Sequence, residues 1–334
     1  MRGITRRTVV KGAGALGAIS MLPASRVLAA NNPLQVGVVG KVKIPWFDNV
    51  AKGVAQAGKD LGVDASIINP TTDDPAEQVR AIEDLIAKKV DVIGVVPNDG
   101  KALEPVLGRA QAAGIKVVMN ESPEQKNADW DIELIQDKAF GEAHLEAFAN
   151  AIGGEGKYVV YVGGLTVTLH NLWADYAVAL QKQKYLKMQQ VGDRFGVSNS
   201  VDDSYKTAID QMQAHPDLRG FLIFGANGPI GAGQAVSDQD KIGKVIVVGP
   251  FIPSQGLKLM KEGAITRGFL WNPMDSGYAL VALGKTLATG AEVKHGMDLP
   301  GLGTCQVNAD KRVIRANKQI DLNPETIEKW AKII

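Results

Sequence analysis

The chain has 334 residues, 45% of them hydrophobic and 22% charged, with a formal charge of +1. That length suits roughly two domains, each large enough for its own core. Cys305 is the only cysteine, so an intramolecular disulfide is excluded and stability must come from burial.

The N-terminus sets the compartment. Thr5-Arg6-Arg7-Thr8-Val9-Val10-Lys11 puts paired arginines ahead of a weakly apolar run, Gly12 to Leu22, that stops at Pro23. Small residues around Val27-Leu28-Ala29-Ala30 suit signal-peptidase cleavage after Ala29 or Ala30, and the run is too short to span a bilayer. Residues 1–30 therefore read as a removable export signal, and a periplasmic location follows. The paired arginines, the mild Gly- and Ala-rich run and Arg26 resemble a twin-arginine signal, and an ordinary Sec signal is the alternative. With no cysteine at the cleavage site, no lipid attachment is expected there. Gly12-Ala13-Gly14-Ala15-Leu16-Gly17 fits G-x-G-x-x-G but follows no strand, so it carries no dinucleotide reading. Residues 1–30 hold five basic residues and no acidic one, which leaves the remainder at −4. A mildly acidic chain without a Lys/Arg cluster has no electrostatic basis for binding nucleic acid. No membrane span or coiled coil is predicted after the signal, and a monomer is expected.

From residue 34 short apolar β-branched runs alternate with amphipathic ones, the pattern of parallel sheets with crossover helices. In chain order the pattern predicts strand 34–39, helix 48–61, strand 63–68, helix 75–89, strand 90–96, helix 101–113 and strand 116–119. After Asp137 a second array follows: helix 138–152, strand 158–162, helix 172–187, strand 189–195, helix 203–214, strand 221–224, helix 230–240, strand 245–248 and helix 255–262. The fold class is α/β, with two doubly wound parallel-sheet lobes. In such sheets ligands bind at the carboxyl ends of strands. The candidate loops are Gly40 to Asn49, Pro97 to Gly100, Asn120 to Pro123, Gly163 to Asn171, Gly225 to Pro229 and Gly249 to Pro253.

Several runs, in order and spacing, resemble one family. They are Val36-Gly37-Val38-Val39 followed by Trp46-Phe47, Asp91 to Asp99, Ala113 to Val118, Gly225-Ala226-Asn227, Ile246 to Gly249, and Gly268 to Pro273. The chain resembles type I periplasmic sugar-binding proteins of the ribose, rhamnose and autoinducer-2 group, which are capture subunits of ABC importers. The resemblance implies two lobes joined by three crossings near Gln136, Leu270 and Leu302 that close like a hinge on the ligand. The lobes would be 31–136 plus 271–302 and 137–270 plus 303–334.

The resemblance also implies site residues. Trp46 and Phe47 stand where the family stacks aromatics on a sugar, Asp99 where a carboxylate takes hydroxyl protons, and Asn227 where a cleft asparagine lies. Trp271 and Asn272 form a wall after the second crossing, and Lys41 and His170 fit the autoinducer-2 and rhamnose branch. Asn120 stands where the family usually has an aspartate, Pro250-Phe251 where it often has one, and Leu169 where the autoinducer-2 pattern wants an acid. The expected ligand is thus a deoxysugar, a small polyol or a sugar acid held by Lys41, delivered to an ABC permease and its ATPase.

Plainer roles exist for the same residues. Trp46-Phe47 could staple the helix that follows, Asp99 and Asn227 could cap helices, and Trp173 could fill a core. The four histidines show no metal spacing, and no nucleophile elbow, P-loop or zinc motif occurs, so no cofactor, metal or catalysis is expected. The rival functions are a periplasmic sensor subunit and an exported sugar-modifying enzyme. For the enzyme, Asp99 and His170 are the one pair that could be nominated as acid and base.

Overall fold

The structure, a computed structural model, describes residues 33–334. The export-signal reading of residues 1–30 lies outside the described residues.

The first array runs β1 (Gln35–Val39), α1 (Pro45–Leu61), β2 (Asp64–Ile68), α2 (Pro75–Lys88), β3 (Val92–Val95), α3 (Gly100–Ala112), β4 (Lys116–Asn120) and β5 (Trp130–Glu133). The second comprises α4 (Asp137–Ile152), β6 (Glu155–Val162), α5 (Thr168–Lys184), β7 (Lys187–Gln190), β8 (Phe195–Gly196), α6 (Val201–Ala214), β9 (Leu218–Phe224), α7 (Gly228–Asp238), β10 (Ile246–Val248), α8 (Pro253–Lys261) and β11 (Gly268–Leu270). The chain then returns through α9 (Pro273–Ala288), β12 (Asp298–Leu299), β13 (Gly303–Thr304), β14 (Gln306–Asn308), β15 (Val313–Arg315), β16 (Ile320–Leu322) and α10 (Ile327–Trp330).

Two main sheets result. The first has the order β14-β15-β5-β4-β3-β1-β2, parallel except for β14 at its edge, and the second β10-β9-β6-β7, with β8 also on β6. The first sheet is covered on both faces, which is why its strands are continuously apolar. Val36, Val38, Val92 and Val118 pack with α1 and α9, while Val39, Ile93, Val95, Val117 and Met119 pack with α2 and α3.

Three findings depart from the sequence expectations. Helix α1 begins at Pro45, in the first helical turn where proline fits, so Trp46 and Phe47 are helical residues and not loop residues. The expected strand 189–195 is split into β7 and β8, with Gly192 at φ +68° between them. Residues 306–315, expected in the second lobe, add β14 and β15 to the first sheet instead, because Val313, Ile314 and Arg315 pair in parallel with Asp131, Ile132 and Glu133. The third crossing is therefore the segment 316–319, not Leu302. It runs beside the first crossing, where Ala316 N donates to Glu133 O and Lys318 N to Leu134 O. Residues 320–322 then pair antiparallel with β11.

Helix α9 holds α1 at unusually short range. A Cβ on Gly53 of α1 would lie 1.9 Å from Met274 O, and one on Gly277 of α9 would lie 2.1 Å from Val50 O. Glycine at both positions lets the two backbones touch, and this contact seats the N-terminal turn that carries Trp46.

Beside the first crossing lies a buried acidic group. Asp131 and Glu133, two residues apart on β5, point to the same face and are 3% and 1% exposed. Asp131 accepts from Ser122 N at 3.0 Å, whereas Asp131 Oδ2 and Glu133 Oε1 meet no donor. Burial pushes Asp131 up to about 7 and Glu133 well above the carboxylate range, and the neighbouring Asp131 and Asp137 charges raise Glu133 further. Asp137 at the start of α4 is also raised by burial, although Trp173 Nε1 donates to it at 3.1 Å and Arg315 lies 3.6 Å away. In the same hinge, His144 Nδ1 donates to Phe140 O at 2.9 Å and Nε2 accepts from Phe269 N at 3.3 Å. Burial holds this imidazole down to about 4.

Two outcomes follow. Gly53→Ala should destabilise the fold by about 1–3 kcal/mol or more, because the added methyl meets backbone that cannot rotate away; an unchanged thermal midpoint would contradict the contact. The second concerns pH. Unfolded Asp131 ionises near 3.8 and the folded residue near 7, so the folded state binds more protons in between, and this residue's contribution to stability falls as pH rises from about 4 to about 7. Asp131→Asn should gain stability relative to the parent over that window in a pH series of thermal unfolding curves. Parallel curves would show a carboxyl that ionises as freely folded as unfolded.

Candidate functional site

The carboxyl ends of both sheets face a cleft of about 420 Å3, part of it continuous with solvent. In parallel α/β sheets this is where loops diverge and ligands sit.

The first wall follows β1. Gln78 Nε2 donates to Gly40 O at 2.9 Å and to Val96 O at 2.8 Å, Gln78 Oε1 accepts from Asn98 N at 2.8 Å, and Asn98 Nδ2 donates to Lys41 O at 2.8 Å. This buried amide chain ties the loop after β1 to the end of β3. It sets Lys41 and Ile44, and with α1 behind them Trp46 and Phe47, along the cleft. Glu121, directly after β4, completes the wall. Its φ of +64° is left-handed, an unusual conformation for a residue with a side chain, and its carboxylate pairs with the Lys41 ammonium while both are 5% exposed.

The second wall comes from the opposite sheet. His170 and Trp173 lie on α5 after β6, Asn199 follows β8, Gly225 and Ala226 follow β9, and Pro250 follows β10. His170 Nδ1 accepts from Gly163 N at 3.0 Å, which leaves its proton on Nε2 as a hydrogen-bond donor. Burial and then the Lys41 charge hold His170 well below the usual imidazole range, so it is neutral. Asn199 Nδ2 donates to Asp73 Oδ2 at 3.1 Å, a bond from one wall to the other.

Trp271 closes the back of the cleft at the second crossing. Its ring lies 5.2 Å from Trp46 and 5.6 Å from Trp173, both edge-on, and its Nε1 donates to Ser276 Oγ at 2.9 Å. His170 stacks on Trp173 with ring centroids 5.4 Å apart. The cleft therefore offers aromatic surface together with a few fixed polar groups.

Of the residues singled out from sequence, Lys41, Trp46, Phe47, His170 and Trp271 come together here. Four others have partners elsewhere and do not line the cleft. Asp99 Oδ1 accepts from Lys101 N and Ala102 N at 2.9 and 3.1 Å and so caps α3. Asn120 Nδ2 donates to Ile132 O at 2.6 Å, joining β4 to β5. Asn227 Nδ2 donates to Asn199 O at 2.8 Å, which fixes a cleft loop without the side chain capping α7. Asn272 Oδ1 accepts from Met274 N at 3.0 Å and caps α9. The acid–base pair nominated for an enzyme is thus not assembled, because Asp99 is turned to its helix. Lys41, expected free to hold a sugar acid, is already matched by Glu121.

Sequence reasoning missed Glu121 and Asn199. An acid one place beyond the expected position after β4 was the available signal for Glu121. Asn199 lies on the strand-end loop after β8, which was legible by the same rule that found the other loops. Trp173, read as a core residue, both packs, at 1% exposed, and lines the cleft. Among the described residues no group of three or more His, Cys, Asp or Glu side chains is arranged to hold a metal ion, and no helix is long and apolar enough to cross a membrane.

Comparison with known proteins agrees with this architecture. The D-allose-binding periplasmic protein of Escherichia coli K12 is 26% identical over 268 residues, covering 77% of this chain and 83% of that protein. A solute-binding protein from Clostridium phytofermentas with bound L-rhamnose superposes with a TM-score of 0.84 at 22% identity, covering 91% of this chain and 99% of that one. LsrB from Clostridium saccharobutylicum in complex with AI-2 gives 0.82 at 18% identity, covering 89% and 99%. The family profile described as a periplasmic binding protein domain matches residues 36–292, most of the chain. The chain belongs to the periplasmic binding protein family, whose members are substrate-binding proteins and not enzymes, and has that family's type I fold.

Proposed function

We propose that the protein, exported to the periplasm by a twin-arginine signal, captures a small sugar or sugar-like polyol as a monomer and delivers it to an ABC permease with its ATPase. The observation that carries this reading is the composition of the cleft. A polyol sheds its water only where each buried hydroxyl finds a partner, since an unmatched one costs about 1–3 kcal/mol. Lys41, Glu121, His170 and Asn199 supply donors and acceptors from both walls, and Trp46, Phe47, Trp173 and Trp271 supply the faces that cover C–H surface. The D-allose-binding relative and the L-rhamnose bound in the superposed structure support the same ligand class.

Contacts divided between two walls favour closure around the ligand, because only a shut cleft satisfies both sets. The crossings at 134–136, 271–272 and 316–319 are short segments able to absorb the change in φ and ψ. The bond between Asp73 and Asn199 would then belong to the closed form.

A thermal-shift panel of pentoses, hexoses, deoxyhexoses and polyols should raise the melting temperature with at least one of them, by mass action on the folded state. With that sugar, Trp46→Ala should lose at least about tenfold in calorimetric affinity, or about 1.4 kcal/mol. Asp99→Ala should lower stability by about 0.5–2 kcal/mol through the lost helix cap and leave affinity unchanged. A panel without a single shift, or full affinity in Trp46→Ala, would overturn the reading.

A further inference from the structure

We infer that Glu121 acts as the charge selector of the cleft, restricting it to uncharged ligands by neutralising Lys41. The inference rests on the sugar-capture reading and deepens it by naming the ligand's charge class.

Lys41 is the one cation and Glu121 the one anion among the lining side chains described, and they meet each other. Both are removed from water, so neither charge is screened by solvent and each depends on the other. The third titratable side chain on the walls, His170, is neutral and offers only an Nε2–H donor. A ligand carboxylate entering here finds its natural partner already occupied by an anion. Behind Glu121 stand the buried carboxyls of Glu133 and Asp131, while the Arg315 guanidinium is turned to Asp137 at 3.6 Å, so these neighbours add negative and not positive charge beside the pair. An uncharged hydroxyl suffers no such conflict. It can donate to Glu121 and accept from Lys41 without breaking the pair.

The backbone of Glu121 is a second, independent observation. At φ +64° an asparagine or glycine would sit at lower cost, yet the position holds a residue whose side chain is long enough to reach Lys41. The unfavourable conformation fits a position kept for its carboxylate.

The test uses matched pairs that differ only in charge: L-rhamnose with L-rhamnonate, D-allose with D-allonate, and D-ribose with D-ribonate. By calorimetry at neutral pH the unmodified protein should prefer the neutral member of the pair it binds by at least about a hundredfold. Glu121→Gln, which keeps the shape and frees Lys41, should move that ratio toward the acid by at least about tenfold. Adding Lys41→Met to Glu121→Gln should abolish the gain. An acid bound by the unmodified protein as tightly as its neutral partner would overturn the inference, and that comparison needs no variant to fold. A ratio unmoved in a folded Glu121→Gln protein would overturn it equally. Failure to bind any neutral sugar or any acid would instead remove the sugar-capture reading, and the selector with it.

Discussion

The structure depends on how Trp271 is packed. A buried indole must be surrounded on all sides and must still find an acceptor for its N–H. Trp271 meets both conditions with groups from every part of the fold: Trp46 from the first lobe, Trp173 and Phe140 from the second, and Ser276 from the helix that follows it. One continuous apolar core consequently runs from α1 and α9 through the hinge into the second sheet. Trp173 extends the arrangement, since its own N–H is held by Asp137 at the start of α4. The aromatic floor of the cleft and the packing of the hinge are the same set of side chains.

Much of the polar interior serves to place loops and not to touch a ligand. Gln78 and Asn98 bind three backbone carbonyls between them, and Asn227 holds the backbone of Asn199. A loop at a strand end carries backbone groups that the sheet no longer satisfies, and buried amides answer them with fixed geometry. Each of these side chains is one step behind the cleft, and the cleft residues inherit their positions from it.

Period and composition made the alternating strands and helices legible, because strands covered on both faces must be apolar throughout. Strand β5 escaped notice for the opposite reason: Trp-Asp-Ile-Glu puts two acids into the sheet, and no local pattern announces buried carboxyls. Helix α9 was also unread. It is buried on most sides, with Ser276, Gly277, Leu280, Val281 and Gly284 inside, so its amphipathic contrast is weak. Strand-end position identified the loops that form the cleft, but which polar residues face it depended on competition for caps and carbonyls. Asp99 and Asn272 were drawn to helix N-termini two residues ahead, whereas Glu121 was turned inward by a left-handed backbone that the residue name does not signal.

The pairing of Lys41 with Glu121 has a kinetic consequence. Two opposite charges in contact produce only a short-ranged field, because each cancels most of the other's at a distance. The pair therefore adds no long-range pull on a passing solute, unlike an unbalanced charge that accelerates encounter. For an uncharged solute, entry then depends on diffusion and on how often the walls stand apart.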